Sequence, residues 1–320
     1  MNFCGMGEVE WWQHVMEWTF YFMSFFFFKA GYFNKGVTGS KTQDYLMDRT
    51  KRLFVPYISS GIIGMVFYFP FIPFLLERYN SSIEPLTWNH LWETSSFYGN
   101  RPTWFLFSFF VTYLAVHFIE KVKGLHWIVT TFPLIAYWLF LKGNPLWLSA
   151  NNVFMGVFFF YLGVLWKHIM NRFSRSTMLI ASAAMLVAFA ILTLTSQGEY
   201  TMASNEFQGC FAITMLKMLL AICGLAGTLS CLNIPRVPGI CYIGQHSMVY
   251  FISHYPILYY YKYMHLCFGR SIWNKPDDVL ILFPVVFCIC TLLVPLVERT
   301  PWLSGRWPSP ANSISKETNT

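Results

Sequence analysis

Residues 177–195, TMLIASAAMLVAFAILTLT, form a run of 19 residues without a charged side chain. A helix needs about 20 mostly apolar residues to cross a bilayer, whereas an apolar run of about 10–14 is more typical of a buried helix in a soluble domain. The run also lacks the alternation of apolar and polar residues that marks the strands of a membrane β-barrel. It therefore predicts a transmembrane α-helix.

The same pattern recurs along the chain, with charged residues in short clusters between long apolar runs of about 17–25 residues. The nine runs cover approximately residues 15–33, 53–76, 102–119, 125–141, 147–166, 177–195, 209–232, 239–261 and 279–297. We predict an all-α, polytopic helical membrane protein with about nine transmembrane helices.

The composition supports this fold class. Charged residues make up 12% of the 320 residues and hydrophobic residues 55%, whereas soluble domains have about 25% charged residues. We predict that residues 1–302 form a single integral-membrane domain. Residues 303–320 are rich in Ser, Pro, Asn and Thr and predict a short, disordered cytoplasmic tail.

The positive charges predict the topology, because Lys and Arg accumulate in cytoplasmic connections. If the connection 34–52 is cytoplasmic, the inside segments hold 14 of the 22 Lys and Arg residues and the outside segments hold six. This places the C-terminus in the cytoplasm and the N-terminus outside a plasma (inner) membrane. It also explains most of the net charge of +7, so we expect no nucleic-acid partner.

The sequence shows no clear pattern for disulfide bonds or metal binding. The eight Cys residues are scattered, and a helix points the closest pair, Cys288 and Cys290, to different faces. We expect neither a disulfide framework nor a metal site. The ionisable residues inside the runs are therefore the main candidates for function, since burying a charge in hydrocarbon costs about 2.5–3.5 kcal/mol. These are Glu17, Lys29, His117, Lys217, His246 and His254.

Four of these candidates have simple structural explanations beside functional ones. We expect His117 at the membrane surface, near the inner end of its run, and Lys217 paired inside the bundle, with Glu17 as one candidate. His246 and His254 are eight residues apart in GQHSMVYFISHYP, about 12 Å along a helix, which is too far to share a metal. Each is either a hydrogen-bonded packing residue or a group that takes a proton from a hydroxyl.

A basic group lies at the start of the second run, in DRTKRLFVPY (residues 48–57). Arg49 and Arg52 are three residues apart, so an α-helix places them on one face, about 4.5 Å apart along its axis. Two planar guanidinium groups so placed can bind a diphosphate, and Lys51 adds a third positive charge. The alternative is an ordinary anchor at the cytoplasmic face.

Several segments, in order, resemble an integral-membrane family known as acyltransferase family three. YFMSFFFFKAGYF (21–33) is similar to the family's aromatic run, although Ser24 and Lys29 depart from it, and RTKRLFVPY (49–57) is similar to its R-x-x-R-L-x-x-P-Y. Trp104 stands where the family has W-F-L at the start of a span. IGQHSMVYFISHYPI (243–257) resembles G-x-x-S-x-x-x-Y-x-x-H-x-P, with one spacing altered.

The resemblance implies an enzyme that moves an acyl group, most commonly acetyl, from acyl-CoA to a hydroxyl of a cell-envelope or exopolysaccharide sugar. Arg49, Lys51 and Arg52 would bind the coenzyme phosphates, and His254 would be the catalytic candidate. Trp104 and His246 would contact the substrate. Acyl-CoA would be a donor substrate, so no permanently bound cofactor is expected, and the partners would be the lipid bilayer, acyl-CoA and the sugar.

The family usually has ten spans, and its catalytic base is a His in the first span, about eleven residues after a basic residue. His14 does not match that pattern, because Phe3 stands eleven residues before it. We therefore expect that the given sequence starts after the family's first span. The alternative to an acyltransferase is a non-enzymatic membrane protein, either a polysaccharide exporter or an inactive relative of the family. The sequence leaves the oligomeric state open.

Overall fold

The protein is described by a computed structural model, which places residues 15, 17–34, 42–69, 88–122, 125–143, 146–232, 237–267 and 276–307. The described residues belong to two compact units. The first unit is drawn from Met1–Gly39, Trp92–Thr94 and Val111–Val237, and the second from Ser40–Leu91, Ser95–Phe110 and Pro238–Thr320.

Helices make up nearly all of the described residues. In chain order they are α1 (Phe22–Tyr32), α2 (Thr42–Arg49), α3 (Val55–Tyr68), α4 (Trp88–Thr94), α5 (Trp104–Lys121), α6 (Phe132–Lys142), α7 (Ala150–Met170), α8 (Arg175–Thr195), α9 (Phe211–Cys231), α10 (Pro238–Gln245), α11 (Ser247–Cys267), α12 (Pro276–Glu298) and α13 (Pro301–Ser304). A π-helical turn spans Thr50–Phe54, and 3-10 turns span Arg101–Thr103, Leu125–Thr131 and Trp147–Ser149.

The predicted fold class, a helical membrane protein, is confirmed. Each of the nine predicted runs overlaps a helix in the described part of the chain. By length and composition, five stretches are able to cross a bilayer, and Trp127–Lys142 is a shorter apolar stretch. The five are Arg101–Lys121, Ala150–Met170, Arg175–Thr195, Phe211–Cys231 and Ile281–Glu298. The run 177–195 lies within α8, which Ser174 caps by accepting the Thr177 N–H at 3.2 Å.

Two glycines allow α1 and α7 to pack closely in the first unit. A Cβ at Gly31 would lie 1.8 Å from the carbonyl oxygen of Phe160, and a Cβ at Gly163 would lie 2.0 Å from that of Phe28. The two helix backbones therefore touch at both points. Small residues permit this approach in membranes, where van der Waals packing, more than the hydrophobic effect, holds helices together.

A short antiparallel hairpin also belongs to the first unit and was not predicted. Strand β1 (Gly198–Thr201) pairs with β2 (Glu206–Gly209), which sets Tyr200 opposite Phe207. The Tyr200 hydroxyl donates to Asn205 Oδ1 at 3.0 Å, and Asn205 Nδ2 donates to the Ala136 carbonyl at 3.0 Å. The hairpin is therefore fixed to the helices by its turn.

Lys217 anchors the base of this hairpin. It is 3% exposed, and its ammonium donates to the carbonyl oxygens of Ser196 at 2.6 Å and Gly198 at 3.4 Å. Glu199 and Glu17 lie close enough for their charges to act on it. The expected pairing of Lys217 inside the bundle is thus present, with backbone carbonyls as its direct acceptors.

His117 is buried among its protein neighbours, and its expected place at the membrane surface stays a prediction. Its side chain is fully buried in the first unit. Helix α5 continues for another turn, to Lys121, so His117 lies inside the helix and the basic end of α5 comes later.

The second unit is built around α3, α11 and α12. Its core cluster lies between these helices and the first turns of α5, and consists of Tyr57, Phe97, Leu106, Val249, Ile252, Val294 and Val297. Residues 303–307, at the start of the predicted tail, belong to a short segment with α13 that packs against α3 and the turn before it. The prediction of disorder for residues 308–320 falls outside the described residues.

Candidate functional site

All six residues singled out for binding or catalysis belong to the second unit. Arg49 ends α2, and Lys51 and Arg52 lie in the π-helical turn that leads into α3. Pro56 has no N–H, so it cannot donate to the carbonyls four and five positions earlier, those of Arg52 and Lys51, as another residue would in an α- or π-helical turn. The turn therefore has one backbone donor too few, and a carbonyl oxygen must be met from elsewhere. We call residues 49–52 the basic segment.

Residues 301–307, which we call the clasp, close over these carbonyls. The indole N–H of Trp307 donates to the Lys51 carbonyl at 3.0 Å. The backbone of Gly305 lies against the Arg52 carbonyl, where a Cβ would stand 2.5 Å from the oxygen. Gly305 also has φ +68°, a left-handed conformation that favours glycine. The clasp thus holds the main chain of the basic segment.

The two arginines have separate neighbours. Arg52 Nε donates to Asp48 Oδ1 at 2.6 Å, and its side chain remains 63% exposed. The guanidinium of Arg49 lies 5.1 Å from the ring centroid of Tyr45. An exposed pair such as Arg52 with Asp48 is worth about 0.2–1 kcal/mol. A phosphate can therefore displace the carboxylate at small cost.

The π-helical turn changes how the arginines are arranged around the helix. The N–H of Val55 bonds to the Thr50 carbonyl, five residues back, so each turn is wider here than in an α-helix. Residues three apart then diverge more than the α-helical spacing of Arg49 and Arg52 predicts. Their convergence on one diphosphate remains a prediction that rests on side-chain rotation.

His246 belongs to a cluster with Glu298 and Arg306, and the sequence did not predict these two partners. Its Nδ1 lies 2.5 Å from Glu298 Oε1, and the same carboxylate forms an ion pair with Arg306. Arg306 Nη2 also donates to the Gln245 carbonyl at 2.5 Å. The one sign of this cluster in the sequence was Glu298, a carboxylate at the end of the last apolar run. Arg306 was overlooked because it falls in the predicted tail.

His254 lies two turns further along α11. Its Nδ1 is 3.0 Å from the carbonyl oxygen of Tyr250, and a carbonyl can only accept, so Nδ1 carries a proton and the neutral imidazole has its lone pair on Nε2. That tautomer suits a group that accepts a proton.

Trp104 is connected to His254 through two aromatic rings. Its centroid is 6.0 Å from that of Phe105, Phe105 is 5.3 Å from Phe251, and Phe251 is 6.1 Å from His254. Trp104 is 6% exposed, so it is buried in the second unit.

Asn100 links this aromatic group to α11. Its side chain is 1% exposed, and Nδ2 donates to the Ile252 carbonyl at 3.0 Å and to the Ser60 carbonyl at 3.3 Å. Pro256 removes the N–H that would otherwise bond to Ile252. The sequence marks a turn at Asn100, but it does not reveal this contact, because the partner lies 152 residues away.

The structure thus sorts the candidate residues into two groups on α11 and its neighbours. The clasp brings Lys51 and Arg52 together with the Glu298 cluster of His246. Trp104 and His254 form the aromatic group, about 12 Å further along the helix. Among the described residues, no three His, Cys, Asp or Glu side chains are arranged to hold a metal ion.

Comparison with known proteins gives one match. The family model described as an acyltransferase domain matches residues 5–295, nearly the whole chain. No curated protein and no solved structure matches the chain.

Proposed function

Because the chain belongs to acyltransferase family three, we propose that it transfers an acyl group from acyl-CoA to a hydroxyl of a cell-envelope or exopolysaccharide sugar. Family membership makes it a membrane acyltransferase, and the resemblance to the family is confirmed. The donor, the acceptor and the acyl group are the proposal. The observation that carries the proposal is the basic segment, whose Arg52 is exposed and weakly paired beside a membrane-spanning unit.

The donor is held by its phosphates. Acyl-CoA carries a diphosphate, and arginine binds phosphate through two parallel N–H···O bonds. Arg52 exchanges Asp48 for a phosphate oxygen, while Arg49 and Lys51 supply further positive charge. We place this end of the second unit at the cytoplasmic face of the plasma membrane, since coenzyme A is a cytoplasmic metabolite and the positive-inside rule predicts the same side.

The pantetheine arm then follows α11 away from the phosphates. His246 stands near the basic segment, and His254 lies about 12 Å deeper. In this arrangement the thioester reaches the aromatic group while the diphosphate stays at the clasp. Trp104 is buried at that depth and packs behind Phe105 and Phe251, the rings that lead to His254.

His254 is proposed as the base. Its Nε2 lone pair takes the proton of the sugar hydroxyl as the hydroxyl oxygen attacks the thioester carbonyl carbon. The carbon–sulfur bond breaks, an ester forms, and the coenzyme leaves as a thiolate. The imidazolium then returns its proton to the thiolate. The Tyr250 carbonyl supports this role because it keeps the other ring nitrogen protonated.

The test measures transfer of labelled acetyl from acetyl-CoA to a polysaccharide precursor in membranes that contain the protein. We expect Arg49→Ala and Arg52→Ala each to lower the rate at least tenfold, the order of one lost charge-assisted hydrogen bond. Arg172→Ala, on an exposed turn of the first unit, serves as the matched control. His254→Gln should abolish turnover and leave donor binding unchanged.

Three results decide the matter. Undiminished transfer by the double variant of Arg49 and Arg52 would overturn the phosphate assignment. Full activity of His254→Gln would remove it as the base. If correctly inserted protein transfers no acyl group from any acyl-CoA, the non-enzymatic alternative replaces the proposal.

A further inference from the structure

Trp307 presents an aromatic surface directly beside the basic segment. Its indole N–H is bonded to the Lys51 carbonyl, and the Lys51 ammonium lies 5.8 Å from its ring centroid. The residue is nevertheless 43% exposed. The hydrogen bond fixes the edge of the ring and leaves aromatic surface available, next to a cation.

Arg306 precedes Trp307 and keeps unused hydrogen-bond donors. A guanidinium has five N–H groups. One nitrogen, Nη1, pairs with Glu298, and another, Nη2, donates to the Gln245 carbonyl. These two contacts orient the group, while its side chain remains 54% exposed. The other N–H groups are available to an anion.

The clasp places both residues next to the proposed diphosphate site. Gly305 packs its backbone against the Arg52 carbonyl, an approach that no residue with a Cβ allows. Arg306 and Trp307 follow immediately along the chain. An arginine and an exposed indole are therefore held beside Lys51 and Arg52 by main-chain contacts, independently of any ligand.

Acyl-CoA has two parts that the diphosphate site leaves without a binding partner. These are the adenine base and the phosphate on the 3′ position of its ribose. Aromatic side chains stack on nucleobases, and arginine binds phosphate. We propose that Trp307, Lys51 and Arg306 form the subsite for the adenine and 3′-phosphate, an inference that rests on acyl-CoA being the donor.

The subsite explains features that a purely structural clasp does not require. A tryptophan whose only role was to donate to the Lys51 carbonyl could be fully buried, whereas Trp307 is exposed. An arginine that only neutralised Glu298 would not need a second orienting contact to Gln245. Both properties suit residues that are fixed in place and still meet a ligand.

Direct binding tests this without turnover. The full chain in phosphatidylcholine nanodiscs is titrated with labelled CoA, 3′-dephospho-CoA and pantetheine. We expect wild type to bind CoA about tenfold more tightly than dephospho-CoA, the order of one charge-assisted contact. Arg306→Gln should remove this difference, and Arg306→Lys should keep most of it. Trp307→Leu should weaken both nucleotides about tenfold, with pantetheine binding unchanged.

Matched controls separate the subsite from folding. Trp302→Leu replaces an equally exposed tryptophan of the clasp, at 45%, and should bind all three compounds as wild type does. Trp307→Phe loses the hydrogen bond to Lys51 but keeps a ring, and should retain most of the affinity. A weakening by Trp307→Phe as large as that by Trp307→Leu would make the residue a structural cap and overturn the stacking role.

The remaining outcomes are also decisive. If wild type binds CoA and Arg306→Gln keeps the preference for the 3′-phosphate, the subsite is wrong while the donor proposal stands. If wild type does not bind CoA, the donor proposal itself fails. If Arg306→Gln alters only the response to added phosphatidylglycerol, the cluster binds lipid headgroups and the nucleotide subsite is overturned.

Discussion

Asn100 donates its side-chain N–H to the carbonyl oxygen of Ile252, four residues before Pro256, at 3.0 Å. The proline leaves that carbonyl without a helical donor, and a loop residue 152 positions earlier supplies one. In the same way, the indole N–H of Trp307 donates to the carbonyl oxygen of Lys51, five residues before Pro56. Pro56 and Pro256 thus each lie near a carbonyl oxygen whose donor comes from a distant residue. These two hydrogen bonds join parts of the second unit that are far apart in the sequence.

The first prediction concerns this compensation. Asn100→Ala should lower the free energy of unfolding by about 1–3 kcal/mol, because the buried Ile252 carbonyl loses its donor. Pro256→Ala restores a backbone N–H, so the same asparagine substitution should cost less in that background. Thermal unfolding of the four proteins in detergent gives the coupling energy. Exposed Asn171→Ala is the control, and equal costs in both backgrounds would contradict the proposed link.

Close packing of α1 against α7 gives the second prediction. Gly31→Ala and Gly163→Ala each place a methyl group within 2.0 Å of a carbonyl oxygen on the facing helix, so the helices must separate. We expect each to lower the free energy of unfolding by about 1–3 kcal/mol. Gly244→Ala, which meets no atom within 4 Å, should be neutral or slightly stabilising. Unchanged stability of Gly31→Ala and Gly163→Ala would contradict the close contact of the two helices at these glycines.

The clasp gives the third prediction, and Gly143 provides its matched control. Gly305 and Gly143 have similar positive φ values, +68° and +62°, but only a Cβ at Gly305 meets another residue, the Arg52 carbonyl. Gly143→Ala should cost about 1–2 kcal/mol for the backbone conformation, and Gly305→Ala should cost more. The additional loss of stability in Gly305→Ala should be accompanied by weaker CoA binding. Equal destabilisation by the two substitutions would mean that the clasp does not press on the basic segment.

The fourth prediction concerns pH. Burial and the nearby Glu17 carboxylate raise the pKa of Glu199 above its ordinary value of 4.5, and the charge of Lys217 opposes them. A carboxyl whose pKa is raised on folding stabilises the folded state fully below its unfolded pKa, and this contribution is lost as pH rises through the folded pKa. The hairpin should therefore be better protected from hydrogen exchange at pH 4 than at pH 7.

Glu199→Gln isolates that effect. It should remove this part of the pH dependence and protect the hairpin at neutral pH, because the amide carries no charge to bury. Glu206→Gln, on the opposite strand and exposed, is the control. If hairpin exchange has the same pH profile in wild type and Glu199→Gln, the titrating group lies elsewhere.

The sequence predicted the helical membrane class because the length and composition of each apolar run are enough to identify a membrane helix, as with residues 177–195 within α8. It also located the basic segment and the family motifs. It did not reveal the β1–β2 hairpin, whose strands are four residues long and too short for a periodic signal. The Asn100, Glu298 and Trp307 contacts were equally hidden, since each depends on which distant segments meet. Local pattern therefore identifies candidates, whereas their hydrogen-bond partners come from tertiary structure.

The hydrogen bond from Trp307 to Lys51 joins residues 256 positions apart, which has a consequence for biosynthesis. A ribosome adds about 5–20 residues per second, so Lys51 waits roughly 13–50 s before Trp307 is made. During that interval Lys51 and Arg52 have left the ribosome without the clasp. The clasp, and with it the proposed donor site, is therefore among the last parts of the protein to form, after nearly all of the helices have been synthesised.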